Sequence, residues 1–143
     1  MTTSVKTSKF LKVGEVYTRN ELRNGFHIRD AALNNGIFKP KGHTSVWLFI
    51  TQEKTRDRRP YRDSLVGDTL RMEGQTRGRT DPLIQSHRNA DLELLLFYRQ
   101  SKREFPMAGF RYEGKFQYES SEGKYPTRFV LKRILQGSPN GEQ

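Results

Sequence analysis

The segment GFRYEGKFQYES, residues 109–120, has the clearest structural pattern in the chain. Its aromatic side chains alternate with charged and polar ones, at Phe110, Tyr112, Phe116 and Tyr118. A period of two over this length is typical of a β-strand with one buried face. Gly114 interrupts the run near its middle, where a kink or bulge is expected. The segment therefore predicts a long, bent strand at the centre of a sheet.

Four other segments have the composition and length of strands: SVWLFIT (45–51), TLRMEGQ (69–75), LELLLFYRQ (92–100) and TRFVLKRI (127–134). Residues 45–51 and 92–100 are apolar on both faces, which indicates central strands covered on both sides. Residues 69–75 alternate between apolar and polar side chains, which indicates one buried face. About five strands are expected.

Three short helices are predicted between these strands. Thr18 and Glu21 have the spacing of a capping box, and the helix that they begin should end near Asn24-Gly25. Residues 27–36 predict a second helix, and Asp81-Pro82 should begin a third that runs to about residue 89. The fold class is α+β: a curved antiparallel or mixed sheet, or a small β-barrel, with helices at its rim.

The chain is short enough for one domain, predicted at residues 10–136, between a flexible N-terminus (1–9) and a flexible tail (137–143). Its formal net charge of +10 favours an acidic partner, and nucleic acid is the commonest one. A membrane surface is not expected, since no long apolar or amphipathic basic run is present. The absence of cysteine excludes disulfides and cysteine-based zinc sites. The first ten residues lack an apolar signal core, so a cytoplasmic protein is expected.

Residues 58–81, RRPYRDSLVGDTLRMEGQTRGRTD, place carboxylates within the most arginine-rich part of the chain. A carboxylate repels phosphates, so its presence there makes sense if it faces hydrogen-bond donors. Tyr61 could stack on a nucleobase, and Asp63 could accept the amino hydrogens of cytosine or adenine. The alternative is structural: Asp63 caps a turn and Tyr61 packs on the sheet. Trp47 is a further stacking candidate, with a core position as its alternative.

The candidate DNA contacts are mainly basic. Lys39 and Lys41 flank Phe38 in a loop that could insert an apolar wedge into a base stack, although Phe38 could equally cover the core. The other candidates are Arg56, Arg58, Arg59, Arg62, Arg77, Arg79, His87 and Arg88. Each phosphate that they neutralise would add salt-dependent affinity. The alternative is that these residues lie in an ordinary solvated loop without a phosphate contact.

A catalytic alternative stays open. Glu113 and Lys115 lie in an E-x-K pattern, and Asp63, Asp68 or Asp81 could add a second carboxylate for Mg²⁺. The same residues could simply form the solvent face of a strand. The three histidines lack metal-ligand spacing, so we expect no catalytic residue, metal or cofactor in this chain.

Several of these motifs occur in an order that resembles a known family. VYTRNEL, GIFKP, an apolar strand, YRD, a strand ending in GQ, FRYEGKFQY and RFVLKR resemble the SRA-like branch of the PUA-like fold. Such domains occur in McrA-type SRA–HNH restriction endonucleases, and the resemblance spans about residues 13–134. It implies a restriction-system DNA-binding domain that flips a modified base, 5-methylcytosine or a relative, into a pocket. Tyr61 would stack on that base, and Asp63 would bind its Watson–Crick edge.

The resemblance has departures. Met72 and Glu73 stand where the family often brings a second aromatic and a threonine to the base, so they complete the candidate pocket. No HNH module follows the domain. The resemblance therefore implies a non-catalytic reader of duplex DNA, with an HNH nuclease as a separate partner or fused domain. A homodimer and an RNA-binding PUA-like role stay open.

Overall fold

The computed structural model describes residues 6–52 and 63–135. Its strands are β1 (Val16–Tyr17), β2 (Ile37–Phe38), β3 (Ser45–Thr51), β4 (Ser64–Val66), β5 (Thr69–Glu73), β6 (Glu93–Arg99), β7 (Phe110–Glu122) and β8 (Arg128–Arg133). Its α-helices are α1 (Arg19–Gly25) and α2 (Asp81–Gln85). Short 3₁₀ helices cover Thr7–Phe10, Ala31–Asn34 and Pro106–Ala108.

The eight strands form one mixed, open sheet in the order β2-β3-β6-β7-β8-β5-β4, and β1 pairs with β7 beside this path. The pairing of β3 with β6 is parallel, and the other pairings in the described part of the chain are antiparallel. The prediction of an α+β fold with a mixed sheet is confirmed at this level. The open sheet corresponds to the first predicted form rather than to a closed barrel, and the SRA-like assignment stays a prediction.

Both faces of the sheet are covered, which explains the apolar runs of β3 and β6. On one face, Leu48 and Leu96 belong to a core that also contains Leu70 of β5 and Phe116 of β7. On the other face, an aromatic core is covered by α1 and the 3₁₀ helix Ala31–Asn34. Alternate residues of the same strand therefore enter different cores.

Irregular pairing bends the sheet at β7. The register between β6 and β7 shifts between Leu96 and Phe97, opposite Gly114. Gly114 has a φ of +95°, a conformation that glycine adopts without the steric cost of a Cβ atom. A second shift, between Tyr118 and Ser120, affects the pairing with β8. The irregularity at Gly114 thus takes the form of a register shift, and such bulges strengthen sheet curvature.

The helices are shorter than the sequence predicts. The capping box of α1 is confirmed, since Thr18 Oγ1 accepts from the Glu21 N–H and Glu21 Oε1 accepts from the Thr18 N–H. The helix predicted over 27–36 is wrong; a single 3₁₀ turn begins only after Asp30, whose side chain caps it. α2 begins at Asp81, as predicted, but it ends at Gln85 rather than near residue 89.

From Thr7 onward, the N-terminal segment is hydrogen-bonded to the sheet. The Thr7 N–H donates to Ser45 Oγ at 2.9 Å, and the Ser8 hydroxyl donates to Glu93 Oε1 at 2.7 Å. Ser45 Oγ donates to the other oxygen of Glu93, at 2.6 Å. This buried carboxylate thus fastens the segment to the ends of β3 and β6, because each of its oxygens accepts a hydrogen bond.

None of the helices in residues 6–52 and 63–135 has the length and apolar character that a membrane span requires.

Candidate nucleic-acid interface

A cavity of about 190 Å³ opens between the β2–β3 end of the sheet and the β5–β4 end. Its walls come from two parts of the sheet order that are far apart, so the cavity exists because the sheet curves. The lining residues are Gly36, Ile37, Phe49, Ile50, Asp63, Met72, Glu73, Gly74 and Gln75. Drug-sized ligands occupy pockets of about 300–1,000 Å³, so this cavity matches a smaller group.

Asp63 lies at the cavity wall immediately before β4. The residue is 6% exposed, and its Oδ1 accepts a hydrogen bond from the Glu73 N–H at 3.0 Å. The β4–β5 ladder ends at the pair Ser64 and Arg71, so the carboxylate takes a backbone donor beyond the last strand pair. This bond holds the Asp63 side chain against the end of β5.

A second carboxylate, that of Asp81, is linked to the end of β5 through Thr127. The Gly74 N–H donates to the Thr127 carbonyl at 2.8 Å, and the Thr127 hydroxyl donates to Asp81 Oδ2 at 2.6 Å. A Cβ atom at Gly74 would lie 2.9 Å from Cε2 of Phe129. Gly74 therefore allows the backbone to pass closely over Asp81 and Phe129 while it forms one wall of the cavity.

The structure brings together three of the five predicted pocket residues: Asp63, Met72 and Glu73. Tyr61 lies outside the described residues. Trp47 is corrected, because it is fully buried in the aromatic core, where its Nε1 donates to Thr7 Oγ1 at 2.9 Å. Its core alternative applies, since the rings of Phe38, Phe49 and Phe97 pack around Trp47, which does not line the cavity.

The wedge predicted at Phe38 is also corrected. Phe38 is 4% exposed, and its ring packs 6.0 Å from the ring of Trp47 in the aromatic core. Residue 38 pairs with residue 47 in the β2–β3 ladder, which places both side chains on the same face. Lys39 and Lys41 are exposed, as a phosphate contact requires.

The predicted arginine contacts divide into two groups. Arg77 and Arg79 are exposed and follow the cavity residue Gln75 along the chain. Arg88 is exposed, although its Nη2 donates to the Tyr118 carbonyl at 2.7 Å. The remaining four, Arg56, Arg58, Arg59 and Arg62, lie outside the described residues.

His87 is corrected as a DNA contact, because it is a buried structural residue. It is 3% exposed, its Nε2 accepts from the Tyr118 N–H at 3.0 Å, and its Nδ1 lies 2.9 Å from the Leu92 carbonyl. Since a backbone N–H can only donate, Nε2 is unprotonated and Nδ1 carries the proton. Burial lowers the pKa of His87, the Leu92 carbonyl opposes this change, and the nearby Arg88 charge adds to it.

Sequence reasoning missed several cavity residues. Gly36, Phe49 and Ile50 line the cavity from the β2–β3 side. Phe49 and Ile50 read as ordinary members of an apolar strand, and their place at the cavity depends on the curvature of the sheet. On the opposite wall, the GQ motif at residues 74–75 is the sequence feature that could have predicted a place at the cavity.

The E-x-K alternative loses support from the surroundings of Glu113. Its Oε2 is 2.8 Å from Nε of Arg111, and its Oε1 is 3.4 Å from Nη2 of Arg133. Nε of Arg133 also contacts Asp68 at 2.9 Å, so a guanidinium lies between the two carboxylates that would hold Mg²⁺. Among the described residues, no group of three or more histidines and carboxylates has metal-binding geometry.

Comparison with protein-family models and with curated proteins found no match for this chain.

Proposed function

We propose that this domain binds duplex DNA and reads a modified base, 5-methylcytosine or a related base, that is flipped into the cavity between the two ends of the sheet. The observation that carries the proposal is a small cavity with carboxylates, Asp63 and Glu73, in its wall, in a chain of net charge +10. Phosphates are repelled by carboxylates, whereas the amino group of a base is bound by them. Exposed basic residues would hold the backbone, and the carboxylates would select the base.

The size of the cavity supports a single inserted group. Apolar walls at Ile37, Ile50 and Met72 provide surfaces for the faces and the methyl group of a base. Asp63 is held in place by Glu73 N–H before any ligand arrives, so little ordering cost would accompany binding. Extrusion of a base costs a few kcal/mol, which these contacts would offset.

Asp63→Asn tests base reading, because asparagine keeps the shape of the side chain and its acceptor for the Glu73 N–H. Short duplexes with different cytosine and adenine modifications, and their unmodified counterpart, are titrated at one salt concentration. We expect Asp63→Asn to reduce the ratio of the affinity for the modified duplex to that for the unmodified duplex by about fivefold or more, since one good hydrogen-bond pair is worth about 1–3 kcal/mol. Binding to the unmodified duplex should be retained.

Glu119→Gln is the matched control, since it removes one exposed carboxylate from β7 and should leave the ratio unchanged.

Tyr61→Ala should also reduce the ratio if its ring stacks on the base. A fluorescent base analogue at the target position should become brighter on binding, because flipping unstacks it. Equal loss of modified and unmodified binding in Asp63→Asn would contradict a base pocket.

RNA binding is the second candidate. The described residues carry basic side chains that attract either nucleic acid, and charge alone does not discriminate them. A competition between single-stranded RNA and the duplex at equal phosphate concentration separates the two: stronger competition by RNA would favour it.

A further inference from the structure

Two arginines from distant parts of the chain lie against the same aromatic ring. Cζ of Arg99, at the end of β6, is 3.9 Å from the centroid of Phe110. Cζ of Arg19, at the start of α1, is 5.1 Å from that centroid and 4.5 Å from the centroid of Phe49. We call Arg19, Arg99, Phe49 and Phe110 the arginine cluster. Cation–π contact stabilises each charge at these distances.

The hydrogen-bond acceptors of both arginines are neutral. Arg99 donates from Nε to Thr51 Oγ1 and from Nη1 to the Ala108 carbonyl, both at 2.8 Å. Arg19 donates from Nε to the Leu33 carbonyl at 3.1 Å. Across residues 6–52 and 63–135, no carboxylate forms an ion pair with either side chain.

Two like charges in this position are electrostatically unfavourable. Arg99 is 7% exposed, and burial lowers its pKa. Burial also lowers the pKa of Arg19, and the charge of Arg99 lowers it further. A group with the opposite charge would relieve both the desolvation and the repulsion.

Both arginines have hydrogen-bond donors left over for an anion. Both Nη atoms of Arg19 and Nη2 of Arg99 have no hydrogen-bond partner in the described structure. In the same part of the chain, the fully buried side-chain polar atoms without a partner are Thr80 Oγ1 and Asp81 Oδ1. The three arginine nitrogens are therefore not fully buried. Guanidinium groups match the spacing of phosphate oxygens and bind them through two parallel hydrogen bonds.

The cluster also adjoins the cavity. Phe49 packs under Arg19 and lines the cavity together with Gly36, whose carbonyl accepts from the Phe49 N–H at 2.8 Å. We propose that the arginine cluster binds one phosphate, a phosphodiester of the strand whose base enters the cavity. This inference rests on the proposed function for the identity of its ligand, although the anion site itself does not.

The anion site is tested first with inorganic phosphate. Thermal unfolding of the full chain is compared in sodium phosphate and in sodium chloride of equal ionic strength. Phosphate should raise the Tm of the wild type, because a ligand that binds the native state stabilises it. Arg19→Gln should lose this increase. Arg71→Gln, which removes a charge from an exposed residue of β5, should keep it.

Arg99 is left in place in these tests because its two hydrogen bonds join β6 to Thr51 and Ala108. An Arg19→Gln protein that keeps the phosphate-dependent increase in Tm would overturn the anion site, as would a wild type that shows no increase.

Duplex titrations at several salt concentrations then identify the ligand. Arg19→Gln should weaken binding to modified and unmodified duplexes by the same factor. The slope of log K against log salt is negative, and it should become less steep by about 0.9, the value for one phosphate. Arg19→Lys should keep most of the slope and lose part of the affinity, since an ammonium lacks the planar pair of donors.

The two proposals fail in different ways. If Arg19→Gln abolishes stabilisation by phosphate but leaves duplex affinity and salt slope unchanged, the ligand is a free phosphate and the phosphodiester assignment is overturned. If Asp63→Asn shows no effect on discrimination while Arg19→Gln changes the salt slope, the phosphate contact stands and base reading fails.

Discussion

A Cβ atom at Gly74 would lie 2.7 Å from Oδ1 of Asp81, closer than real Cβ contacts come. Asp81 is held from the other side by the Thr127 hydroxyl, and Phe129 is fully buried. Neither neighbour can move without breaking a hydrogen bond or disturbing the core. The close packing of Gly74 against the Asp81 side chain therefore sets the position of the cavity wall.

Gly74→Ala is expected to lower the free energy of unfolding by about 1–3 kcal/mol, the usual cost of overpacking. Gly36→Ala is the matched control on the opposite wall, because its Cβ would meet the Phe49 carbonyl at an ordinary 3.6 Å. A change within about 0.5 kcal/mol is expected there. Urea denaturation measures both, and equal losses would contradict the packing described at Gly74.

Stability should depend on the protonation of His87. Its native pKa is lowered, so the unfolded chain binds the proton more tightly, and the stabilisation is present above the unfolded value of about 6.5. It is lost as the pH falls towards the native pKa, by at most about 1.4 kcal/mol per pH unit. A second proton on Nε2 would break the bond from the Tyr118 N–H.

His87→Gln supplies the reference for this pH dependence. The variant should be less stable than the wild type at pH 8, and the difference in unfolding free energy should shrink as the pH falls below about 6.5. A difference that stays constant down to pH 5 would show that His87 does not titrate in this range.

Phe38→Ala should act on folding rather than on DNA binding. The buried ring packs against Trp47, so its removal should cost about 3–5 kcal/mol of unfolding free energy. The neighbouring Lys39→Ala should leave stability within about 0.5 kcal/mol and weaken binding to all duplexes. A stable Phe38→Ala protein with impaired duplex binding would instead support the wedge that the loop sequence predicts.

Arg79→Gln tests the exposed arginines that follow the cavity. Binding to modified and unmodified duplexes should weaken equally, and the negative slope of log K against log salt should become less steep by about 0.9 for the lost phosphate contact. Arg103→Gln, an exposed arginine in the loop after β6, is the comparison, with no change in slope expected. Identical slopes in Arg79→Gln and wild type would remove Arg79 from the interface.

The long strands were predictable because their patterns are local. The alternation in residues 110–118 and the apolar runs of β3 and β6 follow directly from which faces are buried. The capping box of α1 is equally local, since its two hydrogen bonds join residues three apart. Strands of two or three residues, such as β1, β2 and β4, have too few positions to show a period, so they were not predicted.

For the site, the sequence by itself determined the positive charge and the placement of acidic residues among arginines. It was also sufficient to predict Asp63, Met72 and Glu73 as pocket residues. Only the tertiary structure decided which faces they occupy. The curvature of the sheet brings the β2–β3 end to the β5–β4 end, and packing among aromatic rings encloses Trp47 in the core. Arg19 and Arg99 both contact the ring of Phe110 because distant segments pack together there. Local sequence patterns contain no information about such packing.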